Sequence, residues 1–244
     1  MGETDYVRAK ETARRIATGI GGAVLLIVGA LTNDGIGLVC TSILAIVFLL
    51  GWGQLLCLPH PHAARLVLGV ITLVALGIAT WGTLTVMSFA LGLSVAVTFV
   101  AEMLRRDGRP QLLEQAAGTF TGCVLVVMLA LWIFVWRTDL GRSEVLVLGV
   151  ALAAVAAVES IETRTAHALA FFNGAVSGLL MSWLLSIQLW IGFVLGIMTA
   201  FIYVLVGRAT RGSSRISLMA GMSRDLIPHC ALGLIAYIFS LLLV

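Results

Sequence analysis

Long apolar runs, separated by short polar stretches, make up most of the chain. A helix needs about 20 apolar residues to cross the hydrocarbon core of a bilayer. The pattern therefore predicts an all-α fold: a polytopic integral membrane protein with about nine transmembrane helices, forming a single transmembrane domain over residues 1–244. In order, the nine runs are Ile16 to Leu31, Gly37 to Leu56, Leu66 to Thr80, Leu84 to Met103, Ala116 to Val135, Val145 to Val158, Ala168 to Leu185, Leu189 to Val206 and Ile227 to Val244.

The third and sixth runs are short for a bilayer. We expect these two spans to be tilted together with their neighbours or to be incompletely inserted. The helix boundaries at Trp81–Gly82 and near Ser186 are inferred from length, because the apolar sequence around each is too long for one span.

The composition agrees with insertion into a membrane. Of the residues, 60% are hydrophobic and 11% are charged, and the mean hydropathy of +1.09 lies outside the range of water-soluble domains. The formal net charge of +3 is small, and the basic residues are scattered among the connectors. Since nucleic-acid binding needs a basic patch or groove, we expect no nucleic-acid partner.

The distribution of basic residues predicts the orientation of the spans. Thirteen of the 15 Lys and Arg residues fall on the side of the N-terminus, and only Arg137 and Arg142 fall on the other. Because positively charged connectors stay in the cytoplasm, residues 1–15 are predicted to be a cytoplasmic segment and residues 207–225 a basic cytoplasmic loop. An odd number of spans then places the C-terminus outside a plasma (inner) membrane.

Five tryptophans fall near the predicted outer ends of spans, as expected for an interfacial aromatic belt. They are Trp81, Trp132, Trp136, Trp183 and Trp190.

The 12 acidic residues fall at the ends of the predicted spans or in connectors. Transporters that couple to protons or sodium usually place an ionisable group inside the bilayer. The pattern therefore argues against an ion-coupled transporter.

Glycines recur four residues apart in the seventh and eighth runs, at Gly174 and Gly178 and at Gly192 and Gly196. Small residues at this spacing let helix backbones approach each other closely. We predict a tight helical hairpin here, with a substrate groove as the alternative.

The segment "CLPHPH" has the residue types and spacing of a soft-metal site, with Cys57, His60 and His62 as candidate ligands. Two prolines in the same segment indicate a stiff turn between helices, and such turns contain histidine without a metal. The sequence favours the turn, and we predict no metal or other cofactor.

The segment "VESIETR" brings Glu159 and Glu162 together at a spacing of three residues. Paired carboxylates at a membrane surface can hold Mg²⁺ against a phosphate. The alternative, which we favour, is a solvated helix end where glutamate and arginine compensate each other.

The segment "SRDLIPHC" places a cation, a carboxylate and a histidine beside the last apolar run. Asp225 and His229 are its candidate catalytic residues. The alternative is a polar helix start, with Asp225 near the positive end of the helix dipole and Pro228 in the first turn.

The order of these features resembles the phosphatidate cytidylyltransferase (CDP-diacylglycerol synthase) family. "ATGIGGAVLL" follows a basic start, and "FVAEMLRRDGRPQLLEQAAGTF" occupies the place of that family's central cytoplasmic connector. "VALAAVAAVES" and "NGAVSGLLMSWLL" resemble its next two conserved helices, and "DLIPHCALGLIAYIFSLLLV" stands where the family has its final signature. The resemblance implies a helical membrane architecture that handles lipids.

The final signature of that family is K-D, then L-P-G-H-G-G, then D-R-x-D, and its carboxylates bind the metals that hold the CTP phosphates. Here Asp225 is followed too soon by Pro228 and His229, Cys230 and Ala231 replace glycines, and the D-R-x-D positions fall in "GLIAYIFS". Since Mg²⁺ on nucleotide phosphates needs well-placed carboxylates, we expect no cytidylyltransferase activity.

The sequence therefore predicts a non-catalytic, lipid-associated or accessory membrane subunit of cytidylyltransferase-like architecture. Its expected partners are membrane lipids, with a second copy of the chain or a membrane protein as further possibilities. One alternative is a small permease or lipid flippase. Another is a divergent lipid-modifying enzyme that acts at the cytoplasmic face through Glu159, Glu162, Asp225 and His229.

Overall fold

The computed structural model describes residues 3–105, 111–138, 140–160, 165–210 and 217–242, with side chains from residue 9 onward. Within these ranges the chain is helical and contains no strand, which confirms the predicted all-α fold. Nine helices are described: α1 (Glu3–Leu31), α2 (Asp34–Leu55), α3 (Pro61–Trp81), α4 (Leu84–Met103), α5 (Leu112–Val135), α6 (Gly141–Glu159), α7 (Ala166–Leu184), α8 (Leu189–Ala209) and α9 (Leu218–Leu242).

All nine described helices are long and apolar enough to cross a membrane. The expectation that the third and sixth spans are short is wrong, because α3 has 21 residues and α6 has 19. In each case a polar first turn, containing Arg65 in α3 and Glu144 in α6, belongs to the helix although it interrupts the apolar run. The hydropathy pattern therefore located the two helices but placed their N-terminal ends too late, because it left out their polar first residues.

The predicted loop over residues 207–225 is also too long. Within its described part, α8 continues to Ala209 and α9 begins at Leu218, so Asp225 lies inside α9. Pro228 is an interior residue of this helix and not part of its first turn. A proline at this position removes the helical hydrogen bond to the carbonyl oxygen of Arg224.

Packing against α2 explains why α9 starts so early. A side chain at Gly51 in α2 would overlap the backbone carbonyl of Met219, and the hydroxyl of Ser223 donates to the Phe48 carbonyl oxygen at 2.7 Å. The polar start of α9 is thus held by direct contact with α2.

Contacts between helix ends indicate opposite directions for neighbouring helices: Glu159 at the end of α6 meets His167 at the start of α7, and Gly178 of α7 packs on Gly192 of α8. We call the end of the bundle where α1 begins the N-terminal end, and the opposite end the far end. The most enclosed helix, α5, packs against α2, α3 and α9, and α9 also contacts α1 and α2. The helices α6, α7 and α8 pack together and join the rest mainly through α1. The most exposed helices are α4 and α7.

The aromatic belt is only partly present. Trp81, Trp183 and Trp190 lie at the far end and are exposed, with Trp81 88% exposed. The prediction is wrong for Trp132 and Trp136, which are buried. Trp132 lies in the last turn of α5 and Trp136 directly follows that helix. Both indoles pack between helices, so a position near a span end did not imply contact with lipid.

The two buried indoles connect helices. The Trp132 indole N–H donates to the His229 carbonyl oxygen at 2.9 Å, which ties α5 to α9. The ring of Trp136 packs on Gly29 of α1 and Gly37 of α2, where added Cβ atoms would lie 2.8 Å and 2.5 Å from it. Glycine at both positions gives the ring its space.

The predicted hairpin of α7 and α8 is present. The backbones cross so closely that a Cβ at Gly178 would overlap the Gly192 carbonyl, and a Cβ at Gly196 would overlap the Gly174 carbonyl. Since apolar helices gain little from hydrophobic burial within lipid, close backbone packing of this kind is a main source of their association.

We expect Gly196→Ala to destabilise the protein by about 1–3 kcal/mol, because the added methyl group overpacks a backbone contact that cannot yield. Gly77→Ala is the matched control, since a Cβ there meets nothing within 4 Å. We expect it to be neutral or to stabilise by about 0.5–1 kcal/mol through helix propensity. Unfolding in mixed micelles with increasing SDS measures both values. Equal effects of the two substitutions would contradict the packing described.

The orientation can be tested on a natural cysteine. Of the four cysteines, all within the described residues, Cys57 is exposed and Cys40, Cys123 and Cys230 are buried. Because Cys57 lies at the N-terminal end, we expect a membrane-impermeant maleimide to label it in inverted vesicles but not in intact cells. Cys57→Ser should abolish the labelling, and adding Ser186→Cys at the far end should reverse its sidedness. Labelling of Cys57 from outside would show the predicted orientation to be wrong.

Candidate functional site

Five charged residues meet where the start of α1 lies beside the start of α9. The helix α1 supplies Glu11, Arg14 and Arg15, which share a face because residues three or four apart on a helix are neighbours. The helix α9 supplies Arg224 and Asp225. We call these five residues the arginine cluster.

Asp225 lies between two guanidinium groups. Its Oδ1 is 3.2 Å from Arg224 Nε, and its Oδ2 is 3.5 Å from Arg14 Nε. Glu11 Oε1 faces all three arginines, at 3.0 Å from Arg15, 3.6 Å from Arg224 and 3.7 Å from Arg14. The two carboxylates therefore connect α1 to α9 through shared, rather long, ion pairs.

The inner part of the cluster is enclosed and its outer part is open. The side chains of Arg14, Arg224 and Asp225 are 13%, 8% and 10% exposed, whereas those of Arg15 and Glu11 are 25% and 41% exposed. In the enclosed part, the two guanidinium groups of Arg14 and Arg224 face the single carboxylate of Asp225. Low-dielectric surroundings make the attraction of these guanidinium groups for an anion stronger than it would be in water.

Several of the enclosed polar atoms form no hydrogen bond to protein. They include Nε and Nη2 of Arg14 and Oδ2 of Asp225, whose mutual approach is an ion pair without hydrogen-bond geometry. The guanidinium of Arg14 is held across the backbone of Gly221, where any Cβ would collide with it. Arg14 thus has a fixed position and unused donors, which is the arrangement that an anion-binding arginine needs.

A second set of polar groups continues from the cluster into the bundle. The imidazole of His229, one turn after Asp225, is fully buried, and its Nε2 donates to the Gly19 carbonyl oxygen at 3.0 Å. The ring of Tyr203 from α8 meets this imidazole edge to face, with centroids 6.2 Å apart. The hydroxyl oxygens of Tyr203 and Thr18 are buried without a protein partner.

Two glycines make this inner packing possible. A Cβ at Gly22 would lie 2.8 Å from His229 Nε2, and a Cβ at Gly19 would lie 3.0 Å from the Tyr203 hydroxyl. The "GIGG" segment of α1 therefore lets a histidine and a tyrosine enter a helix interface. His229 has a structural place here, with its imidazole bonded to α1 and its carbonyl oxygen bonded to Trp132.

The structure separates the residues that the sequence proposed as one catalytic set. Asp225 and His229 lie one turn apart on α9, whereas Glu159 pairs with His167 Nδ1 at 2.7 Å, between the end of α6 and the start of α7. Glu162 lies outside the described residues. Glu159 is thus committed to a local pair and not to the arginine cluster.

Of the proposed metal ligands, Cys57 and His60 belong to the connector between α2 and α3, and His62 lies in the first turn of α3. Cys57 is exposed, and the main chain of His60 is bridged to the Gln115 side chain by two hydrogen bonds of 3.1 Å. Pro61 opens α3, as expected for a stiff turn before a helix. Within the described part of the chain, no group of three or more His, Cys, Asp or Glu residues is placed to hold a metal ion.

The sequence analysis did not identify Glu11, Arg14 and Arg15 as site residues. Basic residues before a cytoplasmic span end are already explained by the orientation of the span, so they gave no separate signal of a site. It was also not predicted that acidic groups are enclosed by the bundle. Asp225 and Glu144 lie inside helices, and Glu144 is only 1% exposed. The statement that all acidic residues lie at span ends or in connectors is therefore wrong for Asp225, whereas Glu144 lies in the first turn of α6, at a span end. The i, i+3, i+4 spacing from Glu11 was the available signal for the face on α1.

Comparison of the chain with models of protein families, with curated proteins and with solved structures finds no match. The interpretation of the arginine cluster therefore depends on its geometry and chemistry.

Proposed function

We propose that this chain is a non-catalytic, lipid-associated protein of the plasma membrane that binds the phosphate of an anionic lipid headgroup at the arginine cluster. The observation that carries the proposal is the enclosed position of Arg14 and Arg224 between α1 and α9, with unused donors on Arg14. In the predicted orientation, the cluster lies at the level of the cytoplasmic headgroups.

The chemistry of the cluster suits a phosphate. A guanidinium group offers a planar set of N–H donors that matches two phosphate oxygens at once. Basic pockets between transmembrane helices on the cytoplasmic side are typical sites for anionic headgroups. The partly exposed side chains of Arg15 and Glu11 mark the side from which a headgroup would enter. A phosphate there would take the donors of Arg14 that Asp225 leaves unused.

The same geometry supports a non-catalytic role. A cytidylyltransferase needs carboxylates that are free to bind Mg²⁺. Asp225 is instead placed between two guanidinium groups, which repel a divalent cation, and Glu159 is paired with His167. The resemblance to phosphatidate cytidylyltransferases then concerns architecture and lipid handling. We therefore propose that the chain is a degenerate relative of that family.

We expect the wild-type protein in nanodiscs to retain anionic phospholipid in preference to phosphatidylcholine, as measured by native mass spectrometry. Charge-assisted hydrogen bonds contribute about 1.5–3 kcal/mol each, so Arg14→Gln with Arg224→Gln, which removes at least two of them, should weaken retention by about hundredfold or more. Arg142→Gln is the matched control, because Arg142 forms an exposed ion pair with Asp34 at the far end. We expect this control to retain lipid as the wild type does.

A third variant separates binding from folding. Arg14→Lys with Arg224→Lys keeps the charge that balances Asp225 but loses the planar fork. We expect a folded protein with reduced preference for anionic lipid, with folding checked by thermal unfolding. Equal retention of anionic lipid by the wild type and by both double variants would remove the proposal.

A further inference from the structure

A second ionisable group is enclosed at the far end of the bundle. Glu144 lies in the first helical residues of α6, and 1% of its surface is exposed. Both of its carboxyl oxygens are buried without a hydrogen-bond partner from the protein. It is remote from the arginine cluster, which lies at the N-terminal end.

The described charged groups near this end are engaged elsewhere. Arg142 lies two residues before Glu144, so it faces another side of α6, and its guanidinium pairs with the exposed Asp34 at 3.3 Å. Arg137 donates to the carbonyl oxygen of Thr80 at the end of α3. Neither guanidinium compensates the carboxyl of Glu144.

The described side chains of the helices that pack against α6 supply no charge at this level. Those helices are α1, α5, α7, α8 and α9. Their described charged residues and histidines all lie toward the N-terminal end, and the other titratable side chains that they contain are Cys123 of α5, Tyr203 of α8, and Cys230 and Tyr237 of α9. Tyr237 packs its ring against Phe134, 6.0 Å between centroids. Among the residues that the structure describes, the environment of Glu144 is therefore apolar and without a countercharged side chain.

A carboxylate ion in such surroundings is strongly disfavoured, whereas the neutral carboxyl is tolerated. We propose that Glu144 is a proton-binding site, which holds its proton while the far end is closed and releases it when water enters beside α6. On release the O–H bond breaks, the electron pair stays on the carboxylate, and the proton passes to water. An ionisable group enclosed by transmembrane helices is a functional candidate for this reason.

The described start of α6 is held by packing and by main-chain hydrogen bonds, without a side-chain cap. Its N-cap residue, Leu140, makes no side-chain cap. The turn before it is held by main-chain hydrogen bonds, such as Gly141 N–H to the Thr138 carbonyl oxygen at 3.1 Å. Water that reaches Glu144 must therefore displace apolar packing around Val145 and Leu148, which are buried, and the ionised carboxylate then favours the hydrated arrangement.

The proposal can be tested by infrared difference spectroscopy on the protein in nanodiscs, because a protonated carboxyl has a C=O stretch separate from carboxylate bands. At neutral pH we expect the wild type to show a protonated-carboxyl band that Glu144→Gln lacks and that Asp34→Asn retains. Asp34 is the matched control because it is an exposed acid at the same end. On alkaline titration the band should disappear from the wild type.

Hydrogen exchange supplies the structural readout. At each pH we compare the amide exchange rate of the wild type with that of Glu144→Gln and call the quotient the exchange ratio. As the band disappears, we expect the exchange ratio to rise in residues 141–148. In α7 and α8 we expect the exchange ratio to stay constant. The proposal is overturned if the wild type and Glu144→Gln share the same carboxyl bands at neutral pH. It is equally overturned if the band titrates and the exchange ratio stays constant. Neither readout involves lipid binding, so the result is independent of the proposed function.

Discussion

The contact between α1 and α9 joins the two ends of the chain, and the place of Asp225 between Arg14 and Arg224 is its central interaction. Charged groups that are enclosed by apolar helices must be partnered there, because removal from water costs several kcal/mol for each ion. The cluster meets this requirement only in part, because its ion pairs between α1 and α9 are long and Arg14 keeps donors without a hydrogen bond to protein. In our account these unused donors give the site its affinity for an anion.

Close backbone contacts allow this cluster to exist. Gly221 gives room to the guanidinium of Arg14, and Gly51 lets the start of α9 settle on α2. His229 lies one turn after Asp225 on α9, and its imidazole fits into the interface because Gly22 of α1 has no side chain there. The same device forms the hairpin of α7 and α8. Glycines therefore provide the space that polar side chains occupy between the helices, and apolar side chains form the rest of the packing.

The helices could be predicted from the sequence because nine apolar runs of nearly bilayer length allow few other folds. Their starts could not, since the polar first turns of α6 and α9 look like connectors until packing shows that Glu144 and Asp225 are enclosed. The arginine cluster depends on contacts between residues more than 200 positions apart, such as Arg14 and Asp225. Within α9 the sequence marked the correct segment but assigned Pro228 to the wrong turn.

The most direct measurement of the central claim is solid-state NMR of the protein with ¹⁵N-labelled arginine side chains in bilayers that contain anionic phospholipid. The dipolar coupling between guanidinium nitrogen and lipid phosphorus reports their contact without any change to the chain. Our account predicts dephasing of the Arg14 and Arg224 signals by ³¹P, and its loss when the phosphate-bearing anionic lipid is replaced by phosphatidylcholine. Guanidinium signals from these two residues that show no phosphorus coupling in anionic bilayers would contradict it.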